Sequence, residues 1–303
     1  MKIATFEHQG VVQTGILLYE HVVSMDYIAE RLKIPRRFPG VARDLLDLLA
    51  HYSQEDWEKI EKLSEELTPA DIQLLARNGQ AYHLREVKLK APIQRPPLIL
   101  CLGVNYRSHA SECNKPVPSE PVIFSKSPTA VIGPEEYIVL PKISSRVDYE
   151  VEFAAIIGKP AKNLSKEEAL DYVFGYTVFN DVTARDIQQA DFKEGKPWFR
   201  SKSCDTFAPM GPWVVTRRGH PYPSPVKLEL KVNGVVKQSA TTADMIFDLA
   251  TIIEHISKFL TLPPGTVIAT GTPEGIGPLH DGDLVEAYVE GIGTLRNPVK
   301  AEK

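Results

Sequence analysis

The chain is short of cysteine. Cys101, Cys113 and Cys204 are its 3 thiols. An odd count with no CxxC pair argues against a disulfide framework and for a reducing compartment. Positive charge is not in excess either: 35 Lys and Arg stand against 39 Asp and Glu, a formal net charge of -4. A nucleic-acid binder would show a basic stripe, so a small anionic substrate must be met by local positive groups. No apolar run approaches the roughly 18 residues that a membrane-spanning helix needs. The opening MKIATFEHQG lacks the basic-then-apolar pattern of a secretion signal. Cytoplasmic residence, with neither nucleic acid nor membrane as partner, is the expectation. What is present is an ordinary globular composition, 43% apolar and 24% charged over 303 residues, enough for one large or two modest domains.

Residues 1–91 read as a small α+β unit. KIATF and VVQTGILLY have the look of short strands. Leu45, Leu48, Leu49 and Tyr52 then recur at helical spacing. Ser53 is placed to cap a helix through EDWEKIEKL. Thr68-Pro69 with Asp71 is a helix start: cap, proline in the first turn, acid at the positive end. REVKLKA reads as a strand leading into PIQRPP, a stiff, extended connector, and the domain boundary is set at 91/92. Residues 92–303 are strand-rich: LILCLGV, PVIFS, YEVEFAAIIG, FGYTVFND, VKLELKV, VVKQSA, GTVIAT and DLVEAYVE. Asn233-Gly234 marks a hairpin. Helices are expected over SKEEALDYV, where Ser165 and Glu168 form a capping box, and over FDLATIIEHISKFL. The fold class is therefore mainly β with α+β elements, a barrel or sandwich with long functional loops.

Five stretches can carry chemistry. In Asp148-Tyr-Glu150-Val-Glu152, strand alternation puts Glu150 and Glu152 on one face with Asp148 behind. Such carboxylates need protons or a cation, and hard oxygen donors favour Mg²⁺, Mn²⁺ or Ca²⁺ over Zn²⁺. A solvated acidic strand edge is the alternative. In FNDVTARDIQ, Asp181 ends an apolar strand. A helix begun there would put Arg185 and Gln188 on its face, for a metal and a substrate carboxylate. A capped helix with a surface Asp–Arg pair fits as well. In NYRSHASE, His109 and Glu112 are three apart, so a helix would let the acid orient the ring as a general base. Surface helix pairs share this spacing. Pro116 and Pro118 limit the helix, which suits a short mobile lid with Ala110 and Val117 as its main apolar holds. Lys202, in strand-like sequence, could anchor a carboxylate or an enolate oxygen, or sit exposed at a sheet edge. Nearby Cys204 is structural, for no histidine partner is evident. IATGTPEGIGP lacks the GK[ST] of a P-loop and reads as a tight loop setting amides and the Thr270 and Thr272 hydroxyls against an anion, or as a simple turn.

Together these stretches resemble the fumarylacetoacetate hydrolase superfamily. GVNYRSHASE, FSKSPTAVIGP, DYEVEFAAIIGK, FGYTVFNDVTARDIQ, PWFRSKSCDTFAPMGP, LKVNGVVKQSA, DMIF and IATGTPEGIG occur in that order across residues 98–300. The resemblance implies a rolled β-sheet catalytic core, with residues 1–91 as an added α+β domain, and homodimers. It implies Mg²⁺ or Mn²⁺ on Glu150, Glu152 and Asp181. It further implies a His109–Glu112 dyad on a lid, and Arg185, Gln188, Lys202 and Thr272 around a 2-oxo acid. One departure stands out: the founding hydrolase has a further metal-binding aspartate before the dyad, where this chain has LGVNY. The function implied is cleavage or rearrangement next to the carbonyl of a small 2-oxo acid through a stabilised enolate. Carbon–carbon hydrolysis of an acylpyruvate or fumarylpyruvate comes first. Oxaloacetate-type decarboxylation and 2-hydroxyhepta-2,4-diene-1,7-dioate isomerisation are alternatives. A non-catalytic binder that keeps the fold is the rival from outside enzymology.

Overall fold

The computed structural model describes residues 1–35 and 42–303. Its frame is a long, mostly antiparallel sheet. From one edge the path runs through Ala81–His83, His21–Ser24, Val11–Leu18 and Lys2–His8. It continues through Ala208–Thr216, Val173–Asn180, Val151–Ile157, Val267–Ala269 and Ile99–Gly103 to Val122–Ser125. A second sheet orders Val235–Thr241, Lys227–Val232, Leu284–Val289, Gly293–Ala301 and Ile138–Leu140. A small third sheet joins Thr183–Ala184, Val147–Tyr149 and Gly277–Pro278.

Local chemistry explains most elements. Ser53 and Thr68 both close capping boxes, with Asp56 and Asp71. Ser165 and Glu168 do the same. Asn233 and Gly234 both hold positive φ, 52° and 77°, as a two-residue hairpin turn of matching twist requires. The helix Leu249–Phe259 buries Leu249, Ile252, Ile253 and Ile256 on one side, the spacing of an apolar stripe. The strand Val151–Ile157 is buried at every position, as befits the middle of a sheet covered on both faces.

Three expectations shift. REVKLKA supplies only the short strand Lys88–Lys90 after a turn at Leu84–Glu86. Lys202 ends a short helix, Phe199–Lys202, and is 2% exposed, so it is no edge lysine. The helix in FNDVTARDIQ starts at Arg185 and leaves Asp181 outside it, in the link that follows Asn180. The chain also pairs across position 91: Lys2 and Ile3 lie opposite Val215 and Val214, so the sheet runs unbroken from the first strand into the centre.

Candidate metal centre and active site

The centre forms where three links meet. Glu150 sits between Val147–Tyr149 and Val151–Ile157, Glu152 lies within the latter, and Asp181 follows Val173–Asn180. Asn180 fixes the junction: its Oδ1 accepts from the Glu150 N–H at 2.9 Å, and the Asp181 N–H donates to the Glu150 carbonyl at 2.8 Å. One carboxylate oxygen from each of Glu150, Glu152 and Asp181 lies within 4.8 Å of the others, and all three residues are buried.

Buried cations answer these acids. Lys202 Nζ donates to Glu150 Oε2 at 2.8 Å and to Asp181 Oδ2 at 2.6 Å. Arg185 Nε donates to Asp148 Oδ2 at 2.8 Å, and its Nη2 donates to Glu150 Oε1. Its Nη1 donates to Gln188 Oε1 at 2.6 Å. Arg185 thus turns to the acids of the neighbouring strand, and Asp181, being outside the helix, is met by lysines instead. Burial by itself would raise the Glu150 carboxyl, but Lys202 and Arg185 outweigh it and hold it below the ordinary carboxylate range. Glu152 goes the other way, pushed well up by burial and then by Asp181 and Glu150.

These residues fit a hard cation. The donor set is all oxygen. Glu152 Oε1 is buried with no hydrogen-bond partner, while Oε2 accepts from the Gly271 N–H at 2.8 Å. Asp148, Glu150 and Asp181 are each met by a cation, from Arg146, Arg185, Lys202 and Lys126, while Glu152 has none among the described residues. An unpartnered carboxyl oxygen among crowded, buried acids is where a divalent cation gains most.

The short helix Arg107–Glu112 stands beside this cluster. His109 Nδ1 lies 3.1 Å from Glu112 Oε2. A carboxylate acceptor sets Nδ1 as the protonated nitrogen and leaves Nε2 with its lone pair. Glu112 is itself held, for its Oε1 accepts from the Gly275 N–H at 2.9 Å. Gly275 has φ +97°, and a Cβ there would come 2.1 Å from the Lys237 carbonyl oxygen, so only glycine can present that amide. Tyr106 and Ala110 are the buried holds of this segment; Val117 is exposed. His109, Glu150, Gln188, Lys202 and Thr272 line one narrow cavity, with Lys115 and Trp198 beside them.

The loop IATGTPEGIGP differs from its sequence reading. The Thr270 hydroxyl donates to the Phe153 carbonyl at 2.7 Å, and Thr272 donates to the Val151 carbonyl at 2.9 Å. The Gly271 amide meets Glu152. The loop mainly positions the acid strand, and of the two hydroxyl residues only Thr272 reaches the cavity.

Two residues escaped the sequence reading. Gln238, from the second sheet, accepts from the Val151 N–H and donates to Thr272 Oγ1, both at 2.9 Å. Lys126 Nζ donates to Asp181 Oδ1 at 2.5 Å and to the Val182 carbonyl at 3.0 Å. The signal for Lys126 was its place at the end of the apolar strand VIFS, where a lone lysine beside a sheet centre asks for a buried acid. Breaking such a pair strands a charge. Lys126→Met is expected to cost about 3 kcal/mol of stability in chelator. Saturating Mn²⁺ is expected to restore more stability to this variant than it adds to the parent, because the cation takes over compensation of Asp181. Denaturant titrations with and without Mn²⁺ check both.

Three buried carboxylates converge beside a histidine–glutamate pair, an oxygen donor set that suits a hard divalent cation. The chain belongs to the fumarylacetoacetate hydrolase family: residues 98–300 match the family described as "Fumarylacetoacetate (FAA) hydrolase C-terminal". Members of this family are enzymes. Oxaloacetate tautomerase YisK of Bacillus subtilis is 37% identical, over 99% of this chain and 100% of its own. The 2-hydroxyhepta-2,4-diene-1,7-dioate isomerase of Mycobacterium marinum superposes with a TM-score of 0.75 at 34% identity, covering 100% of this chain and 99% of its own. Maleylpyruvate hydrolase from Sphingobium sp. SYK-6, solved with manganese (II) ion and pyruvate, gives a TM-score of 0.77 at 28% identity with both chains fully covered.

Proposed function

We propose that this chain is an acid–base enzyme of small 2-oxo acids, and that its first activity is carbon–carbon hydrolysis of an acylpyruvate-type substrate. The observation that carries the reading is His109, which pairs with Glu112 and lines the same cavity as Glu150 and Lys202. Mg²⁺ or Mn²⁺ on Glu150, Glu152 and Asp181 would supply a Lewis acid to the substrate's oxygens. Gln188, braced by Arg185, and Thr272 line the wall that receives the acid head. His109, held by Glu112, takes a proton from water, and the hydroxide oxygen bonds to the distal carbonyl carbon. The C3–C4 bond then breaks, its electron pair passes to C3, and Lys202 faces the negative charge that develops on the 2-oxo oxygen. The products are a carboxylic acid and the enolate of pyruvate, which a proton returns to pyruvate. Residues 92–303 act as the catalytic unit and 1–91 as a unit that extends its sheet; two chains associate as a homodimer.

A second reading has its own support. The full-length likeness to an oxaloacetate tautomerase favours simple proton transfer between carbon and oxygen, with His109 taking the C3 proton. A substrate panel with Mg²⁺ or Mn²⁺ separates the readings. Pyruvate plus acid from acetylpyruvate means hydrolysis, pyruvate plus CO₂ from oxaloacetate means decarboxylation, and an enol-band change without either means tautomerisation. No turnover across the panel would leave a binding protein.

The segment 106–118 is proposed as a lid. Ligand contact is expected to slow its amide exchange. Hydrogen exchange with and without Mg²⁺ and oxalate reads this directly. Equal protection in both would make the dyad a fixed wall of the site.

A further inference from the structure

Lys115 has no role in the reading above, yet its setting is unusual. It follows the dyad helix by three residues and lines the cavity with His109, Glu150 and Lys202. Its Nζ stands 4.9 Å from the ring centroid of Trp198 and 5.0 Å from that of Phe192. Among the described residues it forms no ion pair and no side-chain hydrogen bond, although it is half-buried. The site's other lysines, Lys126 and Lys202, each meet a carboxylate. Two aromatic faces hold an ammonium in place but do not neutralise it. Burial pulls its pKa below that of an ordinary lysine; Arg185 and Lys202 add to this, while Cys113 and Glu150 oppose it. A half-buried ammonium with no carboxylate bonded to it gains from a bound anion.

We propose that Lys115 binds a carboxylate at the far end of the substrate, so that the site prefers dicarboxylic 2-oxo acids to those ending in an alkyl group. This rests on the placement of the 2-oxo acid head at the Glu150–Glu152–Asp181 cluster. With the head at that cluster, beside Gln188 and Thr272, the lysines that face it are already paired with its acids. Lys115 lines the same cavity from the segment 106–118 and is the cation left for a second carboxylate. It determines specificity and takes no part in bond breaking, so its removal weakens one class of ligand rather than all.

Two stable amides test this without turnover. N-oxalylglycine and N-methyloxamate share an oxamate head, which cannot enolise, and differ in a distal carboxylate against a methyl group. Calorimetric titration of the Mn²⁺-loaded protein is expected to show N-oxalylglycine binding about tenfold or more tighter, the worth of one charge-assisted hydrogen bond. Lys115→Met, which keeps an apolar chain between the rings, is expected to erase the difference and leave N-methyloxamate binding unchanged. Lys115→Arg is expected to keep part of it. Equal binding of the two amides to the parent, or a preference that survives in Lys115→Met, would overturn the assignment. Failure of both amides to bind the Mn²⁺-loaded parent would instead remove the head site and the proposed function with it.

Discussion

Glu152→Gln is expected to reduce turnover to the level left by chelation while making the metal-free protein more stable. The two effects share a cause. Glu152 is buried, one of its oxygens has no partner, and its neighbours Asp181 and Glu150 repel its charge. Its carboxyl is therefore raised well above the ordinary 4.5. The folded, metal-free chain keeps a proton there that the unfolded chain releases above about pH 4.5. Stability from this group is present below that pH and is lost as pH climbs toward the raised folded value. An amide of the same shape has no proton to lose, so the gain is expected to be small at pH 4 and about 1 kcal/mol or more at pH 8. With metal the order reverses, since the amide is a poorer ligand for a hard cation and Mn²⁺ no longer stabilises by binding. Melting curves at both pH values, with EDTA and with Mn²⁺, check the stability. Full activity in Glu152→Gln, or in metal-stripped parent, would end the metal-dependent reading.

His109→Ala is expected to cost hydrolysis on the order of 10²-fold or more and decarboxylation of oxaloacetate much less. Hydrolysis needs a base to make water nucleophilic. Loss of CO₂ from a β-oxo acid needs only somewhere for the electron pair to go. Tautomerisation sides with hydrolysis, because a C–H proton must be taken. Glu112→Gln is expected to fall between parent and His109→Ala, since the amide leaves the ring in place but no longer favours Nδ1–H. Rates on acetylpyruvate and oxaloacetate, taken side by side, supply the comparison. Equal losses on both substrates would show that His109 does not activate water.

Much of this was legible in the sequence where the signal was local. Caps at Ser53, Thr68 and Ser165 and the Asn233-Gly234 turn are settled by residues within a few positions of one another. Period two brought Glu150 and Glu152 to one face without any knowledge of the sheet. What stayed hidden depends on distant partners. Asp181 and Arg185 look like helix neighbours by spacing, yet the helix begins after Asp181, and each finds its counter-ion on another element. Gln238 reads as a surface strand residue until the second sheet packs behind Val151. The Thr270 hydroxyl reads as a ligand contact because its acceptor, the Phe153 carbonyl, lies more than a hundred residues away.

The pairing of Lys2–His8 with Ala208–Thr216 bears on how the protein is made. A ribosome releases Lys2 and Ile3 long before Val215 and Val214 exist, so the early hairpin with Val11–Leu18, even once Thr5–Glu7 pair with Lys88–Lys90, waits with one end of its edge bare. Closing so long a loop is a slow, late event, and a bare edge is a template for strands of other nascent chains. Chaperone demand and soluble yield, more than catalytic rate, are where a weakened first strand would be felt.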